Sequence, residues 1–257
     1  MNYVFTVDDN IIFLKDLTLV HHASVFDHPY LAVYKRLHDK YGLKVQLNLF
    51  YRDQSGEFNL SMMSDEYKSE WEENSDWLKF SFHSEYENVR PYENSPYCEV
   101  YSDMEKVNSE ILRFAGEKSL GKTTTIHYCQ TTQDGVTAVK DNGAIGLLGL
   151  FGTSEKPIIS YSLNQADASR VRDGEIVLID GISFGAIDLI INTKSLEDNL
   201  KFVSENLGKN PLKLMIHEQY FYPEYFAYQP DFEQKLDTVF SLLHKNGYSS
   251  LFFEQIL

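Results

Sequence analysis

Cysteine is scarce. Cys98 and Cys129 are the only two in 257 residues, too far apart for a metal knuckle, and in a chain of this size two cysteines read as reduced buried thiols rather than a disulfide. Long apolar runs are missing as well: no stretch is apolar enough to span a bilayer, and no basic leader precedes the opening segment MNYVFTVDDN, which enters a strand pattern at once. Basic residues are outnumbered, with 23 Lys and Arg against 38 Asp and Glu and a net charge of −15. Phosphate neutralisation needs clustered Lys and Arg, so nucleic acid and anionic membrane are excluded as expected partners. Repeats, low-complexity segments and linkers are also lacking. The expectation is a cytoplasmic chain forming one domain over residues 1–257, of a size that suits an α/β barrel.

What is present is a series of short apolar runs separated by helical patterns. YVFTV, LKVQLNLFY, WLKFSFHS, TTIHYC, AIGLLGLFG, LKLMIHEQYF and SSLFF read as strands. Asp27 and Pro29 predict the start of a helix whose Leu31, Tyr34, Leu37 and Tyr41 share a face; Ser102 or Asp103 caps another that carries Met104, Val107, Ile111 and Phe114. SLEDNLKFVSENLG and DFEQKLDTVFSLLHKNG are further helices, and GEIVLIDGISFGAIDLIIN reads as a hairpin. Strands that alternate with crossover helices imply a parallel sheet covered on both faces.

GEKSLGKT, Gly116 to Thr123, fits the phosphate-loop pattern at every fixed position. A phosphate loop needs a strand, a glycine-rich turn and then a helix, so that the helix N-terminus meets the phosphates. Here the pattern reads helix, turn, strand, so no nucleotide is expected at Gly116–Thr123. In a closed parallel barrel the working residues lie at the C-terminal ends of the strands. Those ends carry Asp8, Asp9 and Asn10; His83, Glu85 and Glu87; and His217 with Glu218. Carboxylates and imidazoles of this kind supply ligands for a divalent ion, a base for water and an acid for a leaving group.

TVDD (6–9), HSEYE (83–87) and LMIH (214–217) resemble, in order and spread, the T-F-D-D-G, H-[ST]-x-x-H and L-x-x-H motifs of the polysaccharide deacetylases, carbohydrate esterase family four. The resemblance implies a divergent member: a distorted (β/α)7-type barrel and a metal-dependent hydrolase that removes an acyl group from an amide (N-acetyl) or ester on a carbohydrate, acting on carbon–nitrogen bonds other than peptides. It implies Asp8 as general base, His217 as general acid, and Asp9 and His83 as ligands of a divalent ion. That ion is zinc first, with Mn, Co or Fe as alternatives.

Departures from the motifs are specific. Asn10 replaces the glycine, and Glu87 stands where the second metal histidine belongs, which makes Asp9, His83 and Glu87 the expected ligand set. CQTTQDG replaces the segment holding the arginine that orients the base, with Arg90 as a substitute that would also meet substrate. Tyr220 and Tyr222, beside His217, are expected to stack on sugar. His21 and His22 in the first βα loop, and His127 on the fourth strand, are spare ligands. Which of Glu87, His127, His21 or His22 completes the metal set is open. So is the alternative that Asp8 and Asp9 are turn formers and the chain an inactive carbohydrate-binding or accessory protein on the same fold.

Overall fold

The computed structural model describes residues 1–88, 92–153 and 155–257. Tyr3, Val4, Phe5 and Val7 form β1 (Asn2–Asn10), buried on both faces as a central parallel strand must be. It lies inside a parallel sheet ordered β3 (Leu78–Ser84), β2 (Val45–Phe50), β1, β9 (Leu212–His217), β8 (Leu189–Ile190). A second sheet runs β4 (Thr123–Thr124), β5 (Gly146–Gly149), β7 (Ile182–Ala186), β6 (Val177–Ile179).

The two sheets join into one ring. On one side Gly121 N–H donates to the Phe80 carbonyl of β3 at 2.7 Å, and the Thr124 hydroxyl donates to the Phe82 carbonyl. On the other the chain runs from β7 into β8, with Ile187 N–H on the Gly149 carbonyl and Asp188 N–H on the Lys213 carbonyl, both at 2.8 Å. With β7 and β8 taken as one strand, the order around the ring is β1, β2, β3, β4, β5, β7–β8, β9, an α/β barrel of the distorted (β/α)7 type. The hairpin expected from sequence is β6–β7, antiparallel, turning at Asp180 and Gly181 with φ of 50° and 87°, the signature of a type I′ turn. β10 (Ser249–Ser250) pairs with the start of β1.

The helices are α1 (Ile12–Val20), α2 (Pro29–Tyr41), α3 (Lys68–Glu73), α4 (Tyr97–Phe114), α5 (Gln133–Asp141), α6 (Gln165–Arg172), α7 (Leu196–Glu205) and α8 (Phe232–Lys245). The apolar faces read from sequence on α2 and α4 are buried, Tyr41 only in part. Two helix starts differ. Asp27 belongs to a separate 3-10 turn, Val25–Asp27, where it accepts the Ser24 N–H, and His28 caps α2. α4 begins at Tyr97 behind Pro96, so Ser102 and Asp103 lie inside it. Around GEKSLGKT the order is α4, a 3-10 turn at Glu117–Ser119, then β4. Among the described residues no helix is long and apolar enough to cross a membrane.

Candidate metal centre and active site

Adjacent residues on a strand point to opposite faces, so Asp8 and Asp9 need a distortion to serve one cavity. β1 supplies it. Its pairing with β2 slips between Val7 and Asn10, and Asp9 takes φ 65° in the left-handed region that aspartate tolerates. Asn10 staples this bulge: its Nδ2 donates to the Val7 carbonyl at 2.6 Å and the Asn48 carbonyl at 3.1 Å, while its Oδ1 accepts the Tyr30 hydroxyl at 2.7 Å. A second slip, between Leu49 and Phe50 of β2, leaves His83 as the extra residue of β3 and aims its ring inward.

The fourth strand, expected over TTIHYC with His127 on it, is shorter than that. β4 stops at Thr124, and His127 sits in a following turn whose next residues, Tyr128 and Cys129, have φ of 57° and 55°. That turn carries His127 to the other two: Asp9 Oδ1 lies 2.9 Å from His83 Nε2 and 3.3 Å from His127 Nδ1, and the two ring nitrogens are 3.1 Å apart. Among the described residues, Asp9, His83 and His127 are buried donors that converge closely enough to hold a metal ion. Glu87, expected in that place, lines the same cavity without joining the cluster. His21 instead meets Glu66 at 3.1 Å, and the His22 ring packs 5.9 Å from that of His28.

The proton arrangement of the cluster fits a cation. The Thr125 carbonyl can only accept, so His83 carries its proton on Nδ1 and turns the Nε2 lone pair toward the Asp9 carboxylate. Lone pairs facing one another at 2.9 Å need a positive charge between them, or an added proton. The same demand appears in the acidities. Against the cost of burial, His127 and His83 hold Asp9 well below the usual carboxylate range. His83 is pushed up by Asp8 and Asp9 despite its burial, whereas burial lowers His127. One imidazole and one carboxylate therefore favour their charged forms.

Asp8 pairs across the ladder with His217 of β9. Burial raises its pKa above the usual carboxylate value, and no cationic side chain among the described residues hydrogen-bonds it; Asn48 Nδ2 donates to its Oδ1 at 2.6 Å. The direction of that bond is fixed from a distance. The Thr123 carbonyl can only accept, which orients the Gln46 amide at 2.8 Å; Gln46 Nε2 and the Ser81 hydroxyl then both donate to Asn48 Oδ1, at 2.8 and 3.0 Å, leaving the Asn48 NH2 for Asp8. Arg90 lies outside the described residues. His217 holds its Nδ1 2.9 Å from Asn192 Oδ1, and Gln219 Nε2 donates to Asp9 Oδ2 at 2.7 Å. Asn48, Asn192 and Gln219 gave no motif-level signal; their types are too common at such positions.

Asp8, Asp9, His83, His127, His217 and Gln219 line a cavity of about 260 Å³ with Tyr128, Tyr220 and Tyr225 at its walls. Tyr220 stands 6.0 Å from the His217 ring, whereas Tyr222 does not line the cavity: its hydroxyl donates to Glu218 at 3.1 Å. Glu218 in turn is fully buried, and accepts the N–H groups of Ile11, Ile12 and Phe13 at 2.6, 2.9 and 2.7 Å. It caps α1 from the other end of the sequence and couples the Asp8–Asp9 bulge to the His217 strand.

No protein-family model matches the chain, and no curated protein is similar to it in sequence. Solved structures are similar in fold. An acetyl xylan esterase of family 4 from Clostridium thermocellum, solved with a cobalt ion, is 12% identical with a TM-score of 0.53 over 100% of this chain and 90% of that one. A CE4 family pseudoenzyme from Bacillus anthracis is 11% identical, TM-score 0.55, covering 99% of this chain and 64% of that one. A 4-alpha-glucanotransferase from Thermococcus litoralis is 12% identical, TM-score 0.60, over 99% of this chain and 40% of that one. The chain has the barrel fold of the family 4 carbohydrate esterases.

Proposed function

We propose that residues 1–257 form one catalytic domain, a divergent member of the polysaccharide deacetylase family. Its reaction is the metal-dependent removal of an acyl group, from an N-acetyl or an ester, on a carbohydrate. One observation carries the reading: three buried donors, Asp9, His83 and His127, gather beside an acid–base candidate pair, Asp8 and His217, at the C-terminal mouth of the barrel. The donor set of one carboxylate and two imidazoles suits zinc, and also cobalt, manganese or iron. A bound divalent ion supplies Lewis acidity for a carbonyl and for the hydrolytic water. Asp8, held by Asn48, takes a proton from that water as its oxygen bonds to the acyl carbon. His217, entering the step protonated on both ring nitrogens, gives its Nε2 proton to the leaving nitrogen or oxygen as the acyl bond breaks and keeps its Nδ1 proton, so acetate and the free amine or alcohol result. Gln219 keeps Asp9 turned toward the cluster, and Tyr220 offers a ring to the sugar.

The test is acetate release from N-acetylated chito-oligosaccharides and from acetylated xylan, with protein loaded with zinc or cobalt and with chelated protein. Release by loaded protein alone supports the proposal; stoichiometric metal with no release from either substrate class contradicts it. A second reading, an inactive carbohydrate-binding or accessory protein on this fold, draws on the lack, among the described residues, of a cationic side chain hydrogen-bonded to Asp8. It is favoured if oligosaccharides bind without turnover.

A further inference from the structure

Asn192 is 4% exposed and lies beside the end of β9. Its Oδ1 accepts two hydrogen bonds from a single residue, the backbone N–H of His217 at 3.2 Å and the His217 ring Nδ1 at 2.9 Å. The first of these settles the second. A backbone N–H can only donate, so the atom facing it is the amide oxygen and not the nitrogen, and an amide oxygen can only accept. The ring atom on that oxygen must therefore carry hydrogen. Its own Nδ2 is buried with no partner among the described residues, so the amide has no second interaction that would turn it round. The backbone of Asn192 is pinned as well, because its carbonyl accepts Gln229 Nε2 at 2.7 Å, and Lys235 Nζ holds Gln229 Oε1 at 2.8 Å.

We infer that Asn192 is a positioning residue that locks His217 in the Nδ1–H tautomer and so makes Nε2 the one ring atom that exchanges a proton with whatever occupies the cavity. The inference deepens the hydrolase reading, on which its catalytic consequence rests, but the tautomer itself is a property of the folded chain. An unrestrained neutral imidazole in water prefers its proton on Nε2, whereas an imidazolium that gives up its proton at Nε2, as the hydrolase reading requires, must be left as the Nδ1–H form that Asn192 holds. The holding oxygen is a neutral amide where a carboxylate would also serve, so the lock works through direction and not through charge.

The tautomer is read from two-bond 1H–15N correlations of the histidine rings in 15N-labelled full-length protein under alkaline conditions, with the His217 signals assigned by their loss in His217→Gln. The wild type is expected to show the Nδ1–H pattern, Asn192→Ala the Nε2–H pattern, and Asn192→Asp the Nδ1–H pattern again. On active enzyme, Asn192→Ala lowers kcat by on the order of a hundredfold or more with little change in KM, and Asn192→Asp recovers it. An Nε2–H pattern in the wild type overturns the inference without any variant, and so does an Nδ1–H pattern that survives in Asn192→Ala. If the tautomers follow expectation while no acetyl substrate is turned over, the hydrolase reading fails and the positioning role stands. The reverse result separates the two in the other direction.

Discussion

Asp8 and Asp9 reach one cavity because a bulge with Asp9 at φ 65° interrupts the alternation of β1. Their environments then part them. Asp9 faces two imidazoles and is held well below the carboxylate range against its burial, while Asp8 has a neutral amide for a partner and is pushed up by burial. The two conservative substitutions should therefore fail differently. Asparagine accepts the left-handed conformation, so Asp9→Asn should fold and lose metal. Asp8→Asn should keep its metal and lose turnover by a factor of about a hundred to ten thousand. Metal content and rate on both variants decide the matter: roles are swapped if Asp8→Asn loses the ion and Asp9→Asn keeps it, and the pair is a mere turn if both retain metal and activity.

Between elements, Glu218 is the joint that the site depends on. Three helix N–H groups converge on it, yet burial prevails and pushes its carboxyl up to about 7 from 4.5. A raised folded value means that the linked stabilisation is complete below about pH 4.5 and is lost as pH rises through 7. Glu218→Ala should cost about 3 kcal/mol, by leaving buried N–H groups unpartnered. It should also remove the wild type's loss of stability between those limits; denaturant titrations across that range, giving parallel wild-type and variant curves, would contradict this. Much of the element order was legible in the sequence: α2, α4, α7, α8 and the parallel strands announce themselves by apolar period. Helices α1, α3, α5 and α6 did not. α1 has no capping side chain of its own, its cap being Glu218 of a distant strand end, and the other three are short. His127 was readable as a histidine near a strand end but not as the partner of Asp9, because a turn through two positive φ angles leaves no mark in a single sequence. Glu87 looked better placed only because its spacing from His83 fits a motif, and spacing does not report where a side chain comes to rest.

For the molecule as a whole, the barrel brings together residues from opposite ends of the chain, and a cation at their meeting point would tie β1, β3 and the turn after β4. Chelation should lower the melting temperature: an ion at a thousand times its Kd contributes about 4 kcal/mol to stability, and an unchanged melting temperature after verified removal of metal would count against the site. The central claim is narrower, that His127 and not Glu87 completes the set with Asp9 and His83. Elemental analysis of purified, metal-loaded protein, comparing wild type with His127→Ala and Glu87→Ala, tests it most directly. The account predicts one equivalent of divalent metal in the wild type and in Glu87→Ala, and little or none in His127→Ala; a full equivalent in His127→Ala with loss in Glu87→Ala, or no metal in the wild type, would contradict it.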